Sequence, residues 1–245
     1  MLTPDERERY QRQLLIKDWD NEKQEILKKS TVFVAGAGGL GSPVLSYLAA
    51  AGVGTLRMCD FDRVDISNLN RQILHGTGTL GSLKTDSAAE TLHRINEHIA
   101  IEKITRRITA ENAADLIAGS DCIADCLDSL EARMVLNRAA VELRIPMIHG
   151  GINGFRGQCT FLHPPETPCL ACFISQKDRN GPSPALGAAA GIIGSLQAME
   201  ILKYLTGLGE TMKNRLMLFD GLLMRNEFIA LKRNPDCPVC GGLSG

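Results

Sequence analysis

Aromatic side chains are scarce in this chain of 245 residues, at 4%, which leaves little material for the stacked aromatic platforms that hold single-stranded nucleic acid. An excess of either charge is missing as well. With a net charge of −1 and a pI near 6.5, no global field draws the chain to nucleic acid or to an anionic membrane, and basic residues that matter must act locally. No run of about 18 apolar residues is available to span a bilayer. The N-terminal stretch MLTPDERERYQRQ is charged where a signal peptide needs an apolar core. The expectation is a cytoplasmic protein with no membrane partner, and nucleic acid is not an expected one.

What is present is 44% apolar content, enough for one sizeable core, and eight cysteines. In a chain without a secretion signal, two Cys-x-x-Cys pairs argue for metal rather than disulfides. Apolar runs alternate with amphipathic stretches through the first half, the pattern of βαβ units and a parallel sheet. The runs predict strands over Thr31–Gly36, Gly54–Asp60, Ala100–Arg106, Asp121–Cys126 and Pro146–Gly151, and helices over Leu40–Ala51, Lys84–Asn96, Ala110–Ala118 and Leu130–Leu143. The rhythm then changes. Arg156–Leu162, Arg215–Asp220 and Asn226–Leu231 read as strands without crossover spacing, so the sheet is expected to be mixed and antiparallel at one side. One long helix is expected over Gly187–Thr206, capped by Gly207, and the polar segment Ser175–Pro184 has the composition of a mobile crossover loop.

The run Val32-Phe-Val-Ala-Gly36-Ala-Gly38-Gly39-Leu-Gly41 follows a strand and opens a helix, where a nucleotide phosphate needs a tight turn and close backbone approach. Asp60 ends the next strand, in position for ribose hydroxyls. By itself this pattern fits an NAD-dependent dehydrogenase as well as an ATP site.

Further residues narrow the choice. After Asp60 come Asp62, then Ser67-Asn68-Leu-Asn-Arg71-Gln72, Lys84 opening a helix, and Asp125-Cys-Leu-Asp128 closing the fourth strand. With Arg9-Tyr10-Gln-Arg12-Gln13 near the start, both cysteine pairs and Gly194-Ser-Leu-Gln-Ala-Met-Glu200, the chain resembles the MoeB/ThiF/HesA family, relatives of the ubiquitin-activating enzymes, over nearly its whole length. The resemblance implies an α/β, Rossmann-like mixed sheet with a four-cysteine zinc site, forming a single domain. Its parts would be an N-terminal helical arm (1–30), a nucleotide-binding half (31–151) and a zinc-containing, carrier-binding half (152–245).

It also implies ATP-dependent adenylation of the C-terminal Gly-Gly carboxylate of a ubiquitin-like sulfur carrier, ThiS- or MoaD-like, with a separate sulfur donor. The chemistry asks for such residues independently, because an acyl-adenylate forms between a carboxylate and the α-phosphate of a polyanion. Arg71 and Lys84 can offset that charge. Asp128, at the C-terminal end of a parallel strand, suits Mg²⁺. By family position Gly36, Gly38, Gly39, Gly41, Asp60, Asp62, Asn68 and Gln72 bind the nucleotide. Asp62 and Asp125 could equally cap a helix or turn, and Asn68 could organise a turn. Arg12 by resemblance reaches across a homodimer interface to the partner's ATP phosphates.

Cys169-Leu-Ala-Cys172 and Cys237-Pro-Val-Cys240 together supply four thiolates for Zn²⁺ with no open position, hence a structural site. Some members of the family carry a further cysteine, between the first pair and the long helix, that bonds covalently to the carrier; the stretch Phe173–Ala185 has none. Cys59, Cys122, Cys126 and Cys159 read as small core residues, and His75, His93, His98, His149 and His163 show no shared ligand spacing. The competing readings are a HesA-like enzyme acting on a peptide or tRNA, a nucleotide-binding partner without turnover, and the dehydrogenase.

Overall fold

The computed structural model describes residues 1–174 and 184–243. Most of the crossover segment expected at Ser175–Pro184 therefore lies outside the described residues. Five strands, β1 (Thr31–Ala35), β2 (Thr55–Cys59), β3 (Ala100–Ile104), β4 (Cys122–Asp125) and β5 (Met147–Asn153), pair in parallel. β6 (Arg156–Leu162), β7 (Arg215–Asp220) and β8 (Arg225–Ala230) extend the sheet antiparallel. The order β3-β2-β1-β4-β5-β6-β7-β8 gives the mixed sheet expected, with the reversal of strand order between β1 and β4.

Side chains alternate across the strands and sort into two cores. Val32 and Val34 of β1, Cys122 and Ala124 of β4 and Ile148 of β5 face one layer with helices α4 (Gly41–Ala51), α5 (Lys84–Ile95) and α8 (Gly187–Thr206). Phe33, Ala35, Ile123 and Met147 face the other with α6 (Ala113–Ile117) and α7 (Leu130–Glu142). Burial on both faces explains the apolar runs Val32–Ala35 in β1 and Cys122–Ala124 in β4, whereas every residue of the edge strand β8 is exposed. Helix α6 is shorter than the Ala110–Ala118 expected, because Asn112 ties down the turn before it by accepting from Thr109 N–H. The arm folds as α1 (Pro4–Arg9), α2 (Gln11–Leu14) and α3 (Asn21–Lys29). No helix among the described residues is long and apolar enough to cross a membrane.

Candidate functional site

Ligands of open α/β sheets bind beyond the C-terminal ends of the strands where their order reverses, here beyond β1 and β4. Gly36 leaves β1 at φ 100°, and a Cβ built there would stand 2.9 Å from the carbonyl oxygen of Cys126 beyond β4. Gly41 opens α4 so close to the turn that a Cβ would lie 1.9 Å from the Gly36 carbonyl oxygen. Only glycine fits at either position. The turn delivers the N-terminus of α4 into the crevice, where free N–H groups and the helix dipole favour an anion.

A chain of bonds ties this loop to the basic residues. Asp60 Oδ2 accepts from Ala37 N–H at 2.8 Å and Oδ1 from Asp62 N–H at 2.9 Å. Asp62 Oδ2 in turn takes Lys84 Nζ at 2.9 Å, and the Asp62 carbonyl accepts Lys84 N–H. Arg71 lies against Gly39, its Cγ 3.6 Å from where a Cβ would be, and its Nη1 donates to the Ser67 carbonyl. Gln72 is buried beside Gly38, its Oε1 without a partner among the described residues. Asn68 Oδ1 accepts from Asp65 N–H at 3.2 Å, so it organises the short turn at Ile66–Asn68.

Asp128 follows β4 as an exposed carboxylate with no hydrogen bond or ion pair among the described residues. Gly36, Gly38, Gly39, Gly41, Asp60, Asp62, Arg71, Gln72 and Lys84 thus form one neighbourhood, which Asp128 adjoins through Cys126. Arg12 is not in it. Gln13 donates to the carbonyl of Ala51 at the far end of α4, and Tyr10 Oη accepts from Asn96 Nδ2 at 2.8 Å. The arm that carries the exposed Arg12 is thus anchored beside Ala51, which lies about 15 Å along α4 from Gly41 at 1.5 Å per residue.

Two histidines passed over in the sequence hold the site from behind. His75 bridges the Ala37 carbonyl, 2.9 Å from Nε2, and Ser87 of α5, 3.0 Å from Nδ1, and its burial lowers its pKa. His149, fully buried on β5, donates from Nδ1 to Asp125 Oδ2 at 2.7 Å and accepts at Nε2 from the Gln158 amide at 2.9 Å. Burial lowers its pKa too, consistent with that neutral tautomer. Burial opposes ionisation of Asp125, but the Arg133 charge and the His149 hydrogen bond outweigh it and hold the carboxyl below its ordinary value. The signal was in the register: Asp125 and His149 are direct partners on β4 and β5.

Away from this crevice the Sγ atoms of Cys169, Cys172, Cys237 and Cys240 lie within 4.8 Å of one another. Their separations of 3.6 Å (Cys169 to Cys237) and 3.4 Å (Cys172 to Cys240) approach the roughly 3.8 Å edge that a tetrahedron of 2.3 Å zinc–sulfur bonds requires. The four could hold a zinc ion. Burial acts to raise Cys237, yet the N–H groups of Cys240 and Val239 and the neighbouring thiols bring it down to about 7. Cys59, Cys122, Cys126 and Cys159 are all buried, and burial with the nearby Asp60 charge pushes Cys59 up to about 12. Thiols so disposed are packed in the core, and a raised pKa leaves little of the reactive thiolate.

The model of the ThiF family matches residues 10–239. A sulfur carrier protein adenylyltransferase of Thermus thermophilus is 38% identical over 250 residues, covering 98% of this chain and 92% of that protein. A molybdopterin-synthase adenylyltransferase of Escherichia coli is 38% identical over 245 residues, covering 98% of each. Among solved structures, E. coli MccB with ATP shares the fold, with a TM-score of 0.87 at 23% identity over 95% of this chain and 74% of that one. With the family model matched from the arm to the last cysteine pair, and relatives of this identity aligned end to end, the chain belongs to the ThiF family.

Proposed function

We propose that the chain activates the C-terminal Gly-Gly carboxylate of a ubiquitin-like sulfur carrier by adenylation. A carboxylate oxygen attacks the α-phosphorus of ATP, the bond from that phosphorus to the bridging oxygen breaks, and pyrophosphate leaves with the electron pair. The product is a carrier acyl-adenylate; in a later step sulfur supplied by another protein displaces AMP from the acyl carbon. The observation that carries this reading is the pair of cations, Arg71 against Gly39 and Lys84 linked through Asp62 and Asp60 to Ala37, set on the phosphate-binding turn. Two anions must meet there, and positive charge held in a crevice lowers the cost of their transition state.

The Asp128 carboxylate, without a partner among the described residues, would hold Mg²⁺, which would supply further neutralisation of phosphate charge. By family position Asp60 and Asn68 would bind the ribose, and Gln72, whose buried Oε1 has no partner among the described residues, would bind the nucleotide. The four-cysteine site would hold structural zinc that fastens the C-terminal segment to the loop after β6. Anchoring of the arm at the far end of α4 by Tyr10 and Gln13 supports a reading in which Arg12 acts on the ATP of a second copy, in a homodimer with composite sites. The relatives that are sulfur-carrier and molybdopterin-synthase adenylyltransferases support the choice of substrate. ATP–pyrophosphate exchange tests it: exchange should require a carrier ending in Gly-Gly. Exchange driven by an unrelated peptide or tRNA, or binding of NAD in place of ATP, would overturn the assignment.

A further inference from the structure

Asp128 is held by its neighbour in the chain. Leu127 N–H donates to Asp125 Oδ1 at 3.2 Å, and the Leu127 carbonyl accepts from Arg133, with Nε at 2.9 Å. Ser129, on the other side of Asp128, caps α7 through a hydrogen bond from Ala132 N–H. The Asp125 carboxylate is therefore the hinge pin of the link between β4 and α7, and what holds the carboxylate is His149. Its imidazole spans from β4 to β6, Nδ1–H to Asp125 and Nε2 to the Gln158 amide. Gln197 fixes the backbone beneath, donating to the Asp125 and Ile148 carbonyls at 2.9 and 3.0 Å.

The competing partner of Asp125 is Arg133, whose Nε stands 3.8 Å from Oδ1, in ionic range but beyond a hydrogen bond. With the His149 hydrogen bond gone, Asp125 keeps only the Leu127 N–H, and Arg133, already in ionic range, is drawn to close that gap. Doing so takes the guanidinium off the Leu127 carbonyl, the peptide group that precedes Asp128.

Resting on the reading above, in which Asp128 takes the nucleotide's divalent cation, we infer that His149 is a positioning residue for that cation: it restrains Asp125 so that Arg133 grips Leu127 and Asp128 points into the crevice. Groups that orient a metal ligand in this way typically carry about 10–100-fold in metal affinity.

The test is Mn²⁺ binding, read as the free Mn²⁺ signal by electron paramagnetic resonance, to the full chain saturated with a non-hydrolysable ATP analogue. His149→Leu should weaken Mn²⁺ by about 10–100-fold, while affinity for the metal-free analogue stays unchanged. His149→Asn, whose amide nitrogen replaces Nδ1, should retain nearly wild-type Mn²⁺ affinity. Both variants leave Gln158 without its acceptor and both should lose stability, so a purely structural role predicts equal behaviour of the two. His149→Gln, which carries its amide past Asp125, should behave as Leu does and replaces it if the Leu variant does not fold. Wild-type Mn²⁺ binding in folded Leu or Gln variants, or equal loss in Asn, would overturn the inference. Unchanged binding in Asp128→Ala would overturn the assignment of Asp128 itself, and the inference with it.

Discussion

Lys84 Nζ lies 2.9 Å from Asp62 Oδ2, with the lysine side chain 8% exposed and the aspartate 50% exposed. The charge of Lys84 is thus fixed by burial at its stem and aimed by a partner that faces the solvent. In the proposed function a nucleotide's phosphates would share that charge without the lysine moving into place, as a preorganised site requires.

Replacing Lys84 or Arg71 by Ala should lower adenylate formation at least about 10²-fold, the usual scale for losing a group that acts on developing charge. Carrier affinity should change little. Pyrophosphate exchange together with a carrier binding titration checks this; near-normal exchange in both variants would remove the two cations from the chemistry.

Anchoring of the arm at Ala51 and Asn96 predicts complementation between subunits. An Arg12→Ala chain and an Asp128→Ala chain, each inactive, should regain one intact site per heterodimer when mixed. Absence of recovery in verified heterodimers would mean that Arg12 serves its own subunit or no site.

A zinc ion held by the four sulfurs would have no open position, so removing it should cost stability before it costs chemistry. Chelation is expected to lower the thermal midpoint while initial turnover by still-folded protein persists. A rate that changes strongly when cobalt replaces zinc would contradict a structural role.

His75 and His149 both have pKa values lowered by burial from an ordinary 6.5. The unfolded chain therefore binds their protons first, and their contribution to stability, complete above about pH 6.5, is lost as pH falls toward their folded values. The thermal midpoint should drop between pH 7.5 and pH 5.5. The slope should be shallower in His75→Asn, measured by calorimetry; an equal slope in the variant would remove His75 from the account.

Much of this arrangement is legible in the sequence because it is local. The glycine turn, Asp60 and the two cysteine pairs each announce themselves by residue type and spacing, and unbroken apolar runs mark strands buried on both faces. The distance between Arg12 and the crevice is not legible, since it depends on Gln13 and Tyr10 finding Ala51 and Asn96 across the fold. Nor is His149: a lone histidine in the run Pro146-Met-Ile-His149 carries no ligand spacing, and its meaning comes from lying opposite Asp125 in the sheet. Asp62 has two possible uses on paper, and the buried end of α5 brings Lys84 to it.

The central claim is that the chain activates a carrier's terminal carboxylate and that none of its own thiols takes part, all four outside the metal cluster being buried. Mass spectrometry of the full reaction, with carrier, ATP and Mg²⁺, tests both halves at once. The account predicts carrier bearing AMP on its terminal glycine and no thioester or reducible enzyme–carrier adduct. Carrier left unmodified, or an adduct mapping to Cys59, Cys122, Cys126 or Cys159, would contradict it.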